Sequence, residues 1–376
     1  MSWALGLWLL LQGMTVLGVV LYLRHLPADR QEEAPEGVVV LLCVRDEWDG
    51  GADLMARLAA QTASFRLIVA TSGACPAAEA LTLPDVQIVR AGVADDEGQK
   101  VHKLRAALRA LRPDDRYLVF IDADIEPPAR LIGRLLFPLA RGKADIVTGY
   151  RLLLPDAKPL LALVGAVEMQ LATLPRAASS TMPWGGAMAM TRETAERLEL
   201  ERILAGRLSD DMTIGLAGWH AKLRLRPVRD LLVASPLHGE GLSALSFAVR
   251  QYRHIVTNSP GMWWIAALVM AVQSVGWFWA LGGGGWSAVA IGYGAAWSRA
   301  LVRRKIVADV AEPAQARKAG RSFLWDILAP FAVTWAHLAV LILGALSRRI
   351  RWGGYDYWVK RGRVVRMKAI DKASLS

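Results

Sequence analysis

Hydrophobic positions along this chain fall into two textures, long uncharged runs and short bursts. Residues 3–23 carry no charge, and a helix rising about 1.5 Å per residue over that length crosses the roughly 30 Å hydrocarbon core of a membrane. Residues 258–298 are also uncharged, with Gly282-Gly283-Gly284-Gly285 inside them. That is about twice a spanning length and predicts a helical hairpin turning at the glycines. Residues 322–346 form a further apolar stretch that contains Asp326, Pro330 and His337.

Between the first and second long runs the texture changes. Short apolar runs at 38–44, 65–70, 86–89 and 117–121 predict strands, and 53–60 and 100–111 predict helices. Leu104, Ala107, Leu108 and Leu111 fall on one side of the second helix. Alternating strands and helices predict an α/β domain with a parallel sheet, whose ligands bind beyond the carboxyl ends of the strands. Arg45, Ser72, Asp122 and Asp124 all fall there. Residues 159–174 read as amphipathic, suited either to a membrane surface or to packing on the sheet.

Composition agrees with membrane association. The chain is 376 residues long and 54% hydrophobic, with 15 Trp, a residue enriched where apolar and wet environments meet. The net charge of +11 sits mostly beside the apolar runs, which favours an anionic membrane face as its partner. The chain carries no zinc-finger spacing, RNP-like motif or lone basic arm, so nucleic acid is not an expected partner. Arg24, His25 and Arg30 follow the first run, which makes it an anchor and places the next domain in the cytoplasm. By the same rule 299–321 and 348–368, both basic, are cytoplasmic. A single span at 322–346 would separate them, so that stretch is re-entrant or interfacial, or one leg of the hairpin does not cross. Cys43 and Cys75 are too few for a disulfide framework and read as reduced and structural.

Three groups of residues carry candidate chemistry. Asp122 and Asp124 stand at the exit of the apolar run 118–121. Two carboxylates so close together call for a cation, and Mg²⁺ or Mn²⁺ prefers a few carboxylates completed by phosphate oxygens. Asp210-Asp211 opens a helix-like stretch, where the pair can cap the helix or supply a general base. Arg250 and Arg253 share a helix face and suit a diphosphate clamp, or equally a juxtamembrane basic cluster on anionic lipid. Lys103 is a further candidate phosphate contact, with a solvated helix lysine as the alternative.

These motifs, in this order and between these membrane segments, resemble the family 2 glycosyltransferases, and among them the ceramide glucosyltransferases and bacterial relatives associated with hopanoid biosynthesis. Asp122-Ala123-Asp124 resembles the family's metal motif, and Leu208-Ser209-Asp210-Asp211 its Glu/Asp-Asp motif, in which the second acid is the base. Arg250-x-x-Arg253-His254 is similar to the Gln/Arg-x-x-Arg-Trp motif, and Arg351-Trp352-Gly353-Gly354-Tyr355-Asp356-Tyr357 to the ceramide glucosyltransferase ending. Pro183-Trp184-Gly185-Gly186-Ala187 resembles the segment lining the acceptor side.

The resemblance implies a GT-A domain with N- and C-terminal transmembrane helices, and inversion at the anomeric carbon in one displacement. It implies a donor such as a UDP-hexose or UDP-acetylhexosamine and a lipid hydroxyl as acceptor, at the cytoplasmic face of a bacterial inner membrane. In its terms Asp122 and Asp124 hold Mg²⁺ or Mn²⁺, and Asp211 is the base. Arg45, Lys103, Arg250 and Arg253 contact the donor, while Trp184, Gly185, Gly186 and His254 contact the acceptor. The chain departs from the family at Ser72, where an Asp is usual, at His254 in place of Trp, and in a short interval between Asp211 and Gly218-Trp219. The expected layout is an anchor at 1–25, a GT-A domain at 36–257, a membrane region at 258–347 and a basic tail at 348–376. A processive polysaccharide synthase and a non-catalytic sugar-nucleotide-binding membrane subunit are the alternative readings.

Overall fold

A computed structural model describes residues 3–28, 30–48, 51–175 and 181–370. In chain order the first half comprises α1 (Trp3–Arg24), β1 (Val38–Cys43), α2 (Gly51–Ala59), β2 (Arg66–Thr71), α3 (Pro76–Glu79), β3 (Val86–Arg90), α4 (Gln99–Arg109), β4 (Tyr117–Ile121), α5 (Leu131–Ala140), β5 (Ile146–Pro155) and α6 (Pro159–Ala172). There follow β6 (Ala187–Thr191), α7 (Arg192–Arg197), α8 (Leu200–Leu204), α9 (Asp210–His220), β7 (Leu225–Leu237), α10 (Gly241–Asn258), α11 (Pro260–Gly282), α12 (Gly285–Val310), α13 (Pro313–Leu328) and α14 (Pro330–Ala345). The chain closes with β8 (Arg349–Trp352), β9 (Tyr355–Lys360) and β10 (Arg363–Ala369). It forms two compact units. A helical unit takes in Met1–Pro27, Leu152–Pro175 and Ala234–Ser347, and a sheet unit takes in Ala28–Arg151, Arg176–Val233 and Arg348–Ser376. Leu152–Pro175 and the chain from Ala234 through α10 thus pack with the helices, although the sequence layout groups them with the catalytic domain.

The sheet unit is mixed α/β with a mostly parallel seven-stranded sheet in the order β3-β2-β1-β4-β6-β5-β7. β1 pairs in parallel with β2 and β4, and β2 with β3, while β6 runs antiparallel to both β4 and β5. Successive strand side chains point to opposite faces, and here both faces are apolar. Val38, Val40 and Leu42 of β1 join Leu67, Val69, Val119 and Ile121 in one core, beneath Leu54 and Leu58 of α2 and Leu131 and Leu135 of α5. Val39 and Leu41 join Ile68, Leu118 and Phe120 in the other, against Val101, Leu104 and Ala107 of α4. The unbroken apolar runs exist because each strand has two cores to fill.

The last strands form a separate antiparallel sheet ordered β10-β9-β8. Gly353-Gly354 turns β8 into β9 and Arg361-Gly362 turns β9 into β10, all four at positive φ as tight two-residue hairpins require. The basic tail of the sequence layout is therefore folded structure as far as Ala369.

In the helical unit, Leu5–Arg24 and α11 are long and apolar enough to cross a membrane, and α13 with α14 adds a third span if that pair, bent by 105°, counts as one. The glycine-rich break falls as expected between α11 and α12. α12 carries Arg299, Arg303, Arg304 and Lys305 in its second half. Polar contacts pin these helices from inside: Gln12 donates to Gln273 at 2.8 Å, and Arg299 donates to Gln12 at 2.8 Å and to Thr15 at 3.0 Å. α6 is not amphipathic. Leu161 and Val164 pack with Ala244, Ala248 and Tyr252, while Ala166 and Val167 meet Val333, so it is a buried helix of this unit.

Trp8 is fully buried and stacks edge-on to Trp277 at 5.6 Å. A Cβ at Gly276 would come within 2.0 Å of the Trp8 ring, whereas one at Gly261 of the same helix meets open space. We expect Gly276→Ala to destabilise the detergent-solubilised protein by about 1–3 kcal/mol through overpacking and Gly261→Ala to leave its melting temperature unchanged. Equal melting temperatures for the two variants would contradict this packing.

Candidate active site

Four elements of the sheet unit bring their ends together. β4 delivers Asp122, α4 delivers Lys100, the turn before β6 delivers Trp184-Gly185-Gly186, and α9 delivers Asp210 and Asp211. The Lys100 ammonium lies 2.6 Å from Asp122 Oδ1 and 2.9 Å from Asp210 Oδ2. Burial alone would lower the Lys100 ammonium, but the facing carboxylates Asp122, Asp210 and Asp211 together outweigh it and hold it well above its ordinary value. Burial also pushes the Asp122 carboxyl up to about 6, opposed by Lys100 and reinforced by Asp124 and Asp210. Asp124 is exposed.

The two acids at the start of α9 have separate partners. Asp210, 3% exposed, turns to Lys100. Asp211 Oδ2 accepts from the Gly185 amide at 3.4 Å, and its Oδ1 accepts from the Met212 amide at 2.7 Å and from the Ser209 hydroxyl. The N-cap of α9 is Ser209, whose hydroxyl accepts from the Met212 amide. Capping is thus not left to the acids alone. Burial first, and the Asp210 charge second, raise the Asp211 carboxyl, the direction that suits a general base.

Gly185 explains why a glycine segment sits here. A Cβ on it would stand 2.9 Å from both Asp210 Oδ2 and Lys100 Nζ, so a side chain would wedge into the ion pair. Gly186 offers its carbonyl to the Asp122 amide at 3.4 Å. The Trp184 amide donates to the Thr148 hydroxyl at 2.9 Å, and the Trp184 ring lies 6.4 Å from Tyr150. The expected acceptor-side segment 184–186 is therefore in contact with Asp122 on one side and Asp211 on the other.

Lys103 is buried with its ammonium on the Val44 carbonyl at 2.7 Å, and burial lowers it. It fastens α4 to the end of β1 and is not brought to the acids. Lys100, three residues earlier, is the lysine that the sequence reading missed. Its signal was its position just inside the helix start after Gly98, where α4 points at the strand ends. Arg45 is exposed at the β1 end, and next to it Asp46 accepts from the Ser72 and Gly73 amides at 2.9 and 3.0 Å. A carboxylate thus does stand against the Ser72 turn, carried from β1 and not from β2. Arg250, Arg253 and His254 belong to α10 of the helical unit, where Arg250 lies over Phe247 at 5.4 Å and Arg253 donates to the Leu343 carbonyl at 3.3 Å. Both cysteines are free, and burial pushes the Cys43 thiol up to about 12.

Among the described residues no three His, Cys, Asp or Glu side chains cluster closely enough to hold a metal ion by themselves. The donor set instead fits an ion shared with a ligand. Asp122 and Asp124 repel one another across a single residue, and a hard divalent cation bound through one or two carboxylates takes its remaining oxygens from phosphate.

No protein-family model matches the sequence, and no curated protein matches it. Among solved structures the chain is similar to a mannosyltransferase from Pyrobaculum calidifontis in complex with GDP-Man and Mn²⁺, at 17% identity and a TM-score of 0.49, over 91% of this chain and 98% of that one. It is also similar to a mycobacterial protein, at 16% identity and a TM-score of 0.36, over 59% of this chain and 74% of that one. Neither likeness assigns an activity to this chain, and the site's own chemistry has to supply it.

Two outcomes test the site's construction. Lys100→Met leaves Asp122 and Asp210 facing each other unpaired, so we expect a loss of about 3–5 kcal/mol, partly recovered in Lys100→Met/Asp210→Asn. Additive melting-temperature changes would show that the pair is not coupled through this lysine. The second concerns Glu97, 1% exposed, which accepts from Arg105 at 2.9 and 3.0 Å, from the Gly206 amide at 2.9 Å and pairs with His102 at 2.7 Å. Burial would raise this carboxyl, but those donors together hold it below its ordinary 4.5. Its stabilisation is therefore present above 4.5 and lost as pH falls through the depressed folded value. Glu97→Gln should melt well below wild type at neutral pH, with the gap closing in acid; a gap independent of pH would contradict the assignment.

Proposed function

We propose that this chain is a membrane-associated inverting glycosyltransferase of the GT-A kind, moving a hexose from a nucleotide-diphospho-sugar, a UDP-sugar by preference, to a lipid hydroxyl. The observation that carries the reading is the division of the acids around the glycine segment. Asp122 stands with the cation Lys100 on one side, and Asp211, raised and held by the Gly185 amide, on the other. The motif order described above points the same way.

In this reading Asp211 takes the proton from the acceptor hydroxyl as that oxygen attacks the anomeric carbon. The bond from the anomeric carbon to the donor phosphate oxygen breaks, and the nucleoside diphosphate leaves with the electron pair. Asp122 and Asp124 would hold a divalent ion, which when bound neutralises charge on the leaving diphosphate. Lys100 supplies positive charge on the same side, and Asp210 keeps it in place. Trp184, Gly185 and Gly186 border the acceptor. From the motif resemblance alone, Arg250 and Arg253 take diphosphate oxygens and His254 faces the acceptor, while Arg45 contacts the donor. The acceptor's lipid nature is supported by the two to three candidate membrane spans. The same small number of spans is unfavourable to a processive polysaccharide synthase, which needs a channel.

The test is turnover by the full-length protein in detergent with Mn²⁺ or Mg²⁺, total membrane-lipid extract, and UDP-glucose, UDP-acetylglucosamine or GDP-mannose in parallel. We expect a hexose- or acetylhexosamine-sized gain on a lipid by mass spectrometry, and about 10²–10⁴-fold slower transfer in Asp211→Asn. Equal rates for Asp211→Asn and wild type would sink the base assignment. Absence of any glycosylated lipid across the donors would sink the lipid acceptor.

A further inference from the structure

The C-terminal sheet does more than end the chain. Residues 206–208, immediately before α9, run along the free edge of β10. The Val364 amide donates to the Gly206 carbonyl at 2.9 Å, the Leu208 amide donates to the Gly362 carbonyl at 3.2 Å, and Arg207 bridges Arg363 in antiparallel sense. Leu208 is fully buried among Ile350 of β8 and Tyr357 and Val359 of β9. The N-terminus of α4 is tied to the same place. The Gly98 amide donates to the Arg207 carbonyl at 2.8 Å, and the Gln99 amide donates to the Tyr357 hydroxyl at 3.4 Å. Burial pushes that phenol up to about 12, so it stays a neutral hydroxyl. Gly98 approaches so closely that a Cβ there would lie 2.6 Å from the Leu208 carbonyl oxygen. Glu97 completes the joint by accepting from the Gly206 amide.

Two residues beyond Gly98 lies Lys100, and two beyond Leu208 lies Asp210. We propose that the sheet β8–β10, through Ile350, Tyr357 and Val359, is the positioning element that sets the Lys100 end of α4 and the Asp210-Asp211 end of α9 relative to one another. This rests on the proposed function above for the roles of Lys100 and Asp211. All three act through Leu208, and Tyr357 also through the Gln99 amide that its hydroxyl accepts from. A displacement of about 1 Å in such a constellation can cost 10²-fold in rate, so a small void beneath Leu208 is felt in turnover before it is felt in binding.

The experiment uses the full-length protein with Ile350→Ala, Ile350→Val, Tyr357→Phe and Asp211→Asn. Its readouts are nucleoside diphosphate release from the three donors above with Mn²⁺, melting temperature, and amide deuterium uptake. We expect Ile350→Ala to lower kcat about tenfold or more while donor KM stays within about twofold. Uptake should rise in peptides covering 98–101 and 206–212 and stay unchanged in α11. Ile350→Val should recover most of the rate, and Tyr357→Phe should fall between. Unchanged uptake at 98–101 and 206–212 overturns the proposal, as does raised uptake with unchanged kcat. If Ile350→Ala loses its cooperative melt, Tyr357→Phe, which keeps the ring, decides on the same readouts. Asp211→Asn separates the two layers. If it turns over like wild type, or wild type releases no diphosphate, the catalytic reading fails and the exchange data alone decide whether the sheet sets these two helix ends.

Discussion

The ammonium of Lys100 between Asp122 and Asp210 is the contact on which the rest of the sheet unit depends. Asp122, Asp210 and Asp211 converge from β4 and α9 into a shielded space, and carboxylates so placed repel unless a cation sits among them. One lysine, 17% exposed, answers two of them. Its reach fixes what surrounds it. α4 must begin at the strand ends, Gly98 must let that beginning come close to the Leu208 carbonyl, and Gly185 must leave no side chain in the way. The third acid, Asp211, faces the Gly185 amide and feels the lysine's charge without pairing with it.

Much of this was readable from residues alone, and the reasons for what was not are specific. β1, β2 and β4 are apolar without interruption because each faces two cores, so strand identity and parallel pairing followed from the run itself. Asp122 closes an apolar run and Asp210-Asp211 opens a helix-like stretch, so both fall at element ends in the sequence as in the structure. Lys100 was not. Helical spacing gives Lys100 and Lys103 neighbouring positions on the same turn, and only the tertiary course of α4 decides that one reaches the acids while the other fastens to Val44. α6 misled in another way, since a short apolar helix with a few polar residues reads as amphipathic, whereas here its neighbours cover nearly every side. The C-terminal sheet was hidden by charge: Arg349, Arg351, Arg363 and Arg366 drew the eye from the alternation and from the Gly353-Gly354 hairpin turn.

The bend between α13 and α14 bears on the conflict of topology that charge created. Two basic stretches flanking a single apolar one cannot both lie on one side of a membrane if that stretch crosses. α13 and α14 meet at Ala329 with a bend of 105°, so the stretch need not cross, and α12 carries four cations in its second half. Some polar groups inside this unit are matched to one another, Gln12 to Gln273 and Arg299 to Gln12 and Thr15, as suits helices in an apolar surrounding.

The small sheet at the end of the chain has a consequence in time. A protein is made from its amino end, and its units fold as they are released. The acids and the lysine lie between residues 100 and 211, but Ile350, Tyr357 and Val359, which pack around Leu208, are added only after α14. Between the two come all of α10–α14, among them the candidate span Pro260–Gly282. A nascent chain therefore holds Lys100, Asp122, Asp210 and Asp211 well before it holds the strands that pack around Leu208.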